Sequence, residues 1–411
     1  MRLAPLLLLA ACGVSSTVPR PREPSPGRAG DEQPDGEDGS TLAARWTGRA
    51  EAAWSSGDFA RASSGFDRAV QADGSLVRAR VGKARSLLAE GDATAAAELL
   101  AGVDDPGAKA LRALALYQGS LPGAAGALEE LAPTKGYPRD ALALTRALRS
   151  RRPYQVEGAR AAIPLLTDLP LPAVPAVADG TMVRMLVDTG ASETVVDRTI
   201  AARLHFEGRH GVIGTLELGS IVVRNVPAVS RDLSQLGRSL GAPVTGVLGM
   251  RLLGLLHATI DYPSAWLALG AQGPDVRPAG TGVRVPYWLV DGQFLAVRAR
   301  ANEAPEGAFL VSGGGTFAVA LSDEGLRAIG RREEELTREP DGFARYPLSK
   351  LRVGGLEVTD VPAIHFVFPE RLVSETGVHF AGVLSHAFLA QWRLSIDSDH
   401  RALVFEQGGE E

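Results

Sequence analysis

The sequence predicts a helical region followed by a mostly β region built from two copies of one lobe. Three observations carry that prediction. Residues 43–152 are rich in Ala and Leu at helical spacing, and the turn Gly57-Asp58-Phe59 returns 34 residues later as Gly91-Asp92-Ala93. After Arg152 the helical spacing stops, and Pro164, Pro170, Pro172 and Pro175 punctuate short runs with Val/Leu alternation. Within that β region, blocks of sequence recur in the same order.

Composition sets the frame. At 411 residues the chain calls for two or three domains, and 45% apolar with 22% charged residues is ordinary for a globular protein. The net charge of -5, with no dominant basic block, speaks against nucleic-acid binding. A single cysteine, Cys12, rules out an intramolecular disulfide and a thiolate metal cluster. The seven histidines show no metal-ligand spacing on a shared element, so neither metal nor cofactor is expected. Gly313-Gly314-Gly315 lacks the Lys-Ser/Thr of a phosphate loop, and Glu333-Glu334-Glu335 reads as a solvated face.

The first element, residues 1–12, combines Met1-Arg2, an apolar run too short to span a bilayer, and Leu9-Ala10-Ala11-Cys12. That ending resembles the lipobox of bacterial lipoproteins, which implies lipidation at Cys12 and a membrane surface facing the periplasm. Gly13 after the cysteine favours the outer membrane. Residues 13–42 are mostly Pro, Gly, Ser, Arg, Asp and Glu, too polar to offset chain entropy, and read as a disordered tether.

In residues 43–152, Trp46, Ala50, Gly57, Phe59, Ala62, Phe66 and Ala69 form a first unit. Ala84, Leu87, Ala96 and Leu100 mark a second, and Gly119, Leu121, Ala124 and Leu128 a looser third, with a capping helix over residues 138–150. The spacing resembles tetratricopeptide repeats, and that resemblance implies paired helices and a groove for a protein partner. The alternative is that the repeats serve only as a spacer and a fold-stabilising pack.

In the β region, residues 216–229 align with 351–364, each a strand, a glycine turn, a strand and then Val-Pro-Ala. Gly246-Val247-Leu248-Gly249 aligns with Gly382-Val383-Leu384-Ser385. An apolar helical run and Ile-Asp follow in both copies, with 15 residues from glycine to aspartate. The first copy also holds Leu186-Val187-Asp188-Thr189-Gly190-Ala191-Ser192, an extended run that delivers one carboxylate to a glycine-permitted turn.

Together these blocks resemble the retropepsin-like aspartic proteases, in a lobe at 160–272 and a degenerate copy at 280–407. The resemblance implies a two-lobed acid-protease-like fold and endopeptidase chemistry on a peptide or unfolded protein, by water activated at Asp188. It assigns Thr189 a hydrogen bond to the partner loop, Ser192 a buttressing role beside Gly190 and Ala191, and Val247-Leu248-Gly249 a place behind the loop. It makes the glycine-rich stretch 210–218 a flap. Asp261 is not catalytic in this reading.

The second copy departs from the pattern. Aligning Phe309-Leu310-Val311 with Met185-Leu186-Val187 sets Ser312, Gly313 and Gly314 opposite Asp188, Thr189 and Gly190. Two carboxylates about 3 Å apart share one proton and divide the roles of base and acid, which an aspartate and a serine cannot do. Three arrangements stay open: a homodimer joining two Asp188 loops, intrachain pairing that leaves a peptide binder unable to cut, or an acid from elsewhere such as Asp323. Assembly through the repeats is a further reading.

Overall fold

The computed structural model describes residues 38–132, 139–273, 282–340 and 342–408. The expected signal and lipidation site at Cys12, and the tether up to residue 37, lie outside the described residues. The helical part begins inside the stretch read as tether, because Asp38 accepts from the Ser40 and Thr41 amides and starts a helix there.

Seven helices follow: α1 (Gly39–Ser55), α2 (Phe59–Ala72), α3 (Val77–Ala89), α4 (Ala93–Leu99), α5 (Pro106–Gln118), α6 (Ala124–Leu131) and α7 (Arg139–Leu148). The recurring Gly-Asp turns do the same work twice. Gly57 and Gly91 take φ of 76° and 81°, and Asp58 and Asp92 cap α2 and α4 by accepting from Arg61 and Ala95. Small residues line the helix crossings: Ala50, Ala62, Ala69, Ala84, Ala96 and Ala108 are buried.

The two β lobes share one topology. In the first, Thr181–Val187 pairs in parallel with Gly246–Leu248, and Thr194–Asp197 with the end of Ile221–Arg231. In the second, Gly307–Ser312 pairs in parallel with Phe380–Ser385, and Val319–Leu321 with the end of Leu356–His365. The long hairpins His210–Leu218/Ile221–Arg231 and Arg345–Val353/Leu356–His365 are equivalents, turning at Gly219 and Gly354 with φ of 61° and 56°.

Six antiparallel strands join the lobes, in the order Gly282–Val290, Ala402–Gln407, Trp392–Asp397, Thr259–Asp261, Trp266–Gly270 and Arg160–Pro164. The two closing segments of the repeat meet at its middle. Thr259 pairs with Ser395, their hydroxyl oxygens 2.8 Å apart, and Ile260 pairs with Leu394.

The helices lie against both lobes. Trp54, Phe59 and Phe66 share one buried cluster with Phe294, Leu310, Phe380 and Val383 of the second lobe. Trp54 Nε1 donates to Thr376 O at 2.9 Å. Gly57 is doubly constrained, since a Cβ there would lie 2.3 Å from Ala308 Cβ. At the other end Leu128, Leu142 and Leu144 share a cluster with Val229, and Asp140 meets His210 Nε2 at 2.8 Å.

Truncating an aromatic side chain at such a shared core leaves a cavity and costs about 3–5 kcal/mol. Trp54→Ala is therefore expected to lower stability by that amount in urea titration. Helical and β signals should still unfold together, and two separated transitions would contradict a shared core.

Candidate active site

Strand Thr181–Val187 carries the chain into the Asp188 loop, which the neighbouring strand anchors. The Asp188 N–H donates to Leu248 O at 3.1 Å, and the Ala191 carbonyl accepts from Met250 N–H at 2.6 Å. Gly249 is required by closeness, because a Cβ there would stand 2.3 Å from Glu193 O. Inside the loop the Gly190 N–H donates to Asp188 Oδ1 at 2.8 Å.

The chain's own second lobe supplies the opposite loop. Ser312 Oγ donates to Asp188 Oδ1 at 3.0 Å, and Thr189 Oγ1 donates to Val311 O at 3.0 Å. Gly190 admits this approach, since its Cβ would lie 2.3 Å from Ser312 Oγ. The place that the Asp188 loop of a second copy would take is thus filled by residues 312–315. The grip across the join is one-sided: Gly313 stands where Thr189 does and offers no hydroxyl to Val187 O.

The second loop compensates for its altered strand. Ser385 replaces the glycine of the first lobe, and its Oγ lies 2.6 Å from Ser312 O and 2.9 Å from Gly315 O while accepting from Gly315 N–H at 3.1 Å. Gly315, at the position of Ala191, makes the room: a Cβ on it would come within 2.7 Å of Ser385 Oγ.

Asp188 is fully buried, as are Thr189, Ser192 and Ser312. Burial raises its pKa above the ordinary carboxylate range, against the pull of bonds from the Gly190 N–H, the Ser312 hydroxyl and the Gly314 N–H. Among the described residues Asp188 Oδ2 has no hydrogen-bond partner. Tyr262 OH lies 3.8 Å from where a Gly313 Cβ would be, and its pKa is pushed up by burial and then by the Asp188 charge. His386 packs on Tyr262 with ring centroids 5.3 Å apart, and burial lowers its pKa.

Two expectations need correction. The stretch 210–218 is not a flap. It is a strand paired with Ile221–Arg231 and, near its end, with Ala173–Ala178, and its turn packs on Ala161 and Ile163 while Ser220 Oγ donates to Arg160 O at 2.6 Å. Asp323 does not supply a second acid to Asp188. It sits in the first turn of the helix Asp323–Ala328, capped by Ser322, with its carboxylate 2.6 Å from His365 Nε2.

Sequence reasoning missed a polar cluster directly behind the loop. Glu193, 1% exposed, accepts from Tyr117 OH at 2.8 Å and Tyr154 OH at 3.2 Å, and pairs with Arg251 at 3.3 Å. Arg251 lies 4.3 Å over the Tyr117 ring and donates to Tyr117 O at 2.6 Å. The available signal was a glutamate set between the loop and the apolar run Val195-Val196, where an unpaired charge is untenable.

Among the described residues two further groups bring possible metal-ligand atoms within 4.8 Å of one another: His257, Asp397 and Asp399, and Asp323, Glu333 and His365. In each a carboxylate is already engaged by an arginine, Arg284 with Asp397 and Arg338 with Glu333.

The geometry of one carboxylate on a glycine turn, faced by a copied loop, can be set beside known proteins. An aspartyl protease family model matches residues 174–213. The match spans the strand pair, the Asp188 loop and the start of the strand at His210. The Asp188 loop is therefore within the part of the chain that is similar to aspartyl proteases. Among solved structures, an aspartic proteinase from Irpex lacteus is similar at 17% identity over 61% of this chain and 97% of its own, with a TM-score of 0.42. Basic 7S globulin from soybean shows 11% identity over 62% of this chain and 95% of its own, at 0.41. A retropepsin-like aspartic protease from Rickettsia conorii shows 20% identity over 28% of this chain and 93% of its own, at 0.22. No curated protein sequence matches the chain.

Two outcomes follow. In the unfolded chain Asp188 titrates near 3.8, and in the folded protein it titrates higher. Folding stability is therefore lost as pH rises from about 3.8 through the raised value, and the loss is constant above it. Asp188→Asn removes this term, so its stability relative to the parent should climb across that window and then level off in urea titrations from about pH 3 to 8. A gap independent of pH would mean Asp188 titrates normally. Tyr117→Phe should cost about 1.5–3 kcal/mol by the same measurement, because the buried Glu193 carboxylate loses a donor.

Proposed function

We propose that this protein is of the aspartic-peptidase type and holds polypeptide without cutting it. One observation carries the reading: the group facing Asp188 is Ser312, 3.0 Å from Oδ1, and both are buried. A serine hydroxyl cannot lend a proton as a carboxylic acid does, so the pair cannot divide the roles of base and acid at the scissile carbonyl. It donates to Asp188 and holds the loop.

Hydrolysis by water activated at Asp188 is the second reading. The complete set Asp188, Thr189, Gly190, Ala191 and Ser192 favours it, together with the match to an aspartyl protease family over residues 174–213 and the buried Oδ2, which has no partner among the described residues. We place the protein at a bacterial envelope through a lipid on Cys12, on the strength of Leu9-Ala10-Ala11-Cys12. The helical array, in the same proposal, lies between that anchor and the lobes.

The test is cleavage of denatured casein at acidic and neutral pH by the parent, Asp188→Asn and Ser312→Asp. The expected result is no cleavage by the first two and acid-range cleavage by the third, in which two carboxylates face each other. Cleavage by the parent that disappears in Asp188→Asn would establish the hydrolytic reading instead.

A further inference from the structure

The two lobes are copies, so a face that is covered on one can be compared with its counterpart on the other. Setting Ser312 on Asp188 puts Phe317 on Glu193. Setting Ser385 on Gly249 puts Ala387 on Arg251. Setting Gly354 on Gly219 puts Ile364 on Val229 and Arg345 on His210.

On the first lobe the chain's own helices cover this face. Tyr117, at the end of α5, sits on Glu193 and Arg251, and Leu128, Leu142 and Leu144 pack with Val229 while Asp140 meets His210. On the second lobe the counterpart is an open cavity of about 670 Å³, bordered by Thr316, Phe317, Tyr346, Ile364, Ala387 and Gln391. Its origin is visible in the pairs. Phe317 and Ala387 delete both charges of the Glu193–Arg251 pair, and the change from Arg251 to Ala387 also removes a long side chain.

We propose that this cavity binds a polypeptide segment that presents a phenylalanine side chain from the end of a helix, as α5 presents Tyr117 to the first lobe. Three features select that occupant. The same fold surface already accepts a helix end on the first lobe. The cavity is continuous with an existing helix interface, because Phe317, Phe343 and Ile364 also belong to the cluster under Trp54, Phe59 and Phe66. The cavity, of about 670 Å³, has room for a ring together with the helix end that carries it, and where Tyr117 meets Glu193 and Arg251 on the first lobe a ring here would meet Phe317 and Ala387, which favours phenylalanine; Arg345, Thr359 and Asp360 also border the cavity.

The inference rests on the polypeptide-binding reading only for the class of ligand, and it does not involve Asp188. The test uses the full chain and fluorescence anisotropy of a labelled peptide copying residues 106–120, made with Tyr117→Phe, with Tyr117 retained, and with Tyr117→Ala. The expected result is saturable binding of the phenylalanine peptide, roughly tenfold weaker binding of the tyrosine peptide, and none of the alanine peptide. Gln391→Trp changes an exposed residue at the cavity border and should weaken binding at least about tenfold with the unfolding midpoint unchanged. Ala387→Arg, which restores the first-lobe residue, should do the same. The casein outcomes turn on Asp188 and Ser312 and the binding outcomes on Ala387 and Gln391, which separates this result from that assay. No saturable binding of any peptide, tighter binding of the tyrosine form, or binding indifferent to Gln391→Trp would overturn the proposal.

Discussion

The antiparallel pairing of Thr259–Asp261 with Trp392–Asp397 fixes almost everything else in this molecule. It sews the strand after the short helix of one lobe to its counterpart in the copy and extends into six strands across the join. With the lobes held at that register, the loop at Asp188 and the loop at Ser312 come face to face. A second copy of the chain then has no place to offer its own aspartate. The covalent link between the lobes adds to this by keeping the local concentration of the second loop high.

The helices make a third wall of the same body. They contribute Trp54, Phe59 and Phe66 to one lobe's core and Tyr117 to a buried Glu193–Arg251 pair on the other. Glu193 follows Ser192 directly, so the helical region is one residue removed from the candidate loop. An ion pair this deeply buried is held by its added hydrogen bonds, from Tyr117 and Tyr154 to the glutamate and from Arg251 to the Tyr117 carbonyl. The helices are part of what keeps the loop in shape, whatever else they bind.

Much of this was legible in the chain because the signals were local or repeated. The Gly-Asp turns announce caps and left-handed backbone whatever surrounds them, and the duplicated Val-Pro-Ala and Ile-Asp blocks are a long-range signal that needs only comparison of the chain with itself. The alignment of Ser312 with Asp188 came from the same comparison. The flap was misread because glycines at 211, 214 and 219 suggested a hinge. Gly211 instead makes room for Phe206, and Gly214 for Asp179, whose carboxylate binds the amides of Gly214 and Thr215. The Glu193 cluster escaped because its partners sit 39, 58 and 76 residues away in the chain. Local propensity gave no hint of them. The start of α1 was missed because a polar stretch can still be helical once an aspartate caps it and its Ala43 and Ala50 are buried.

The exchange at Gly315 and Ser385 has a consequence for how the second loop can change. The first lobe sets Ala191 against Gly249; the second sets glycine against serine, so bulk has crossed from one strand to the other. In the present background Gly315→Ala would clash with Ser385 and also with Phe317, 2.7 and 2.5 Å from the new Cβ, and Ser385→Gly would leave a gap, so the return needs both changes and a shift of Phe317. In genetic terms the two positions are epistatic, and the second loop cannot drift back toward the first one residue at a time.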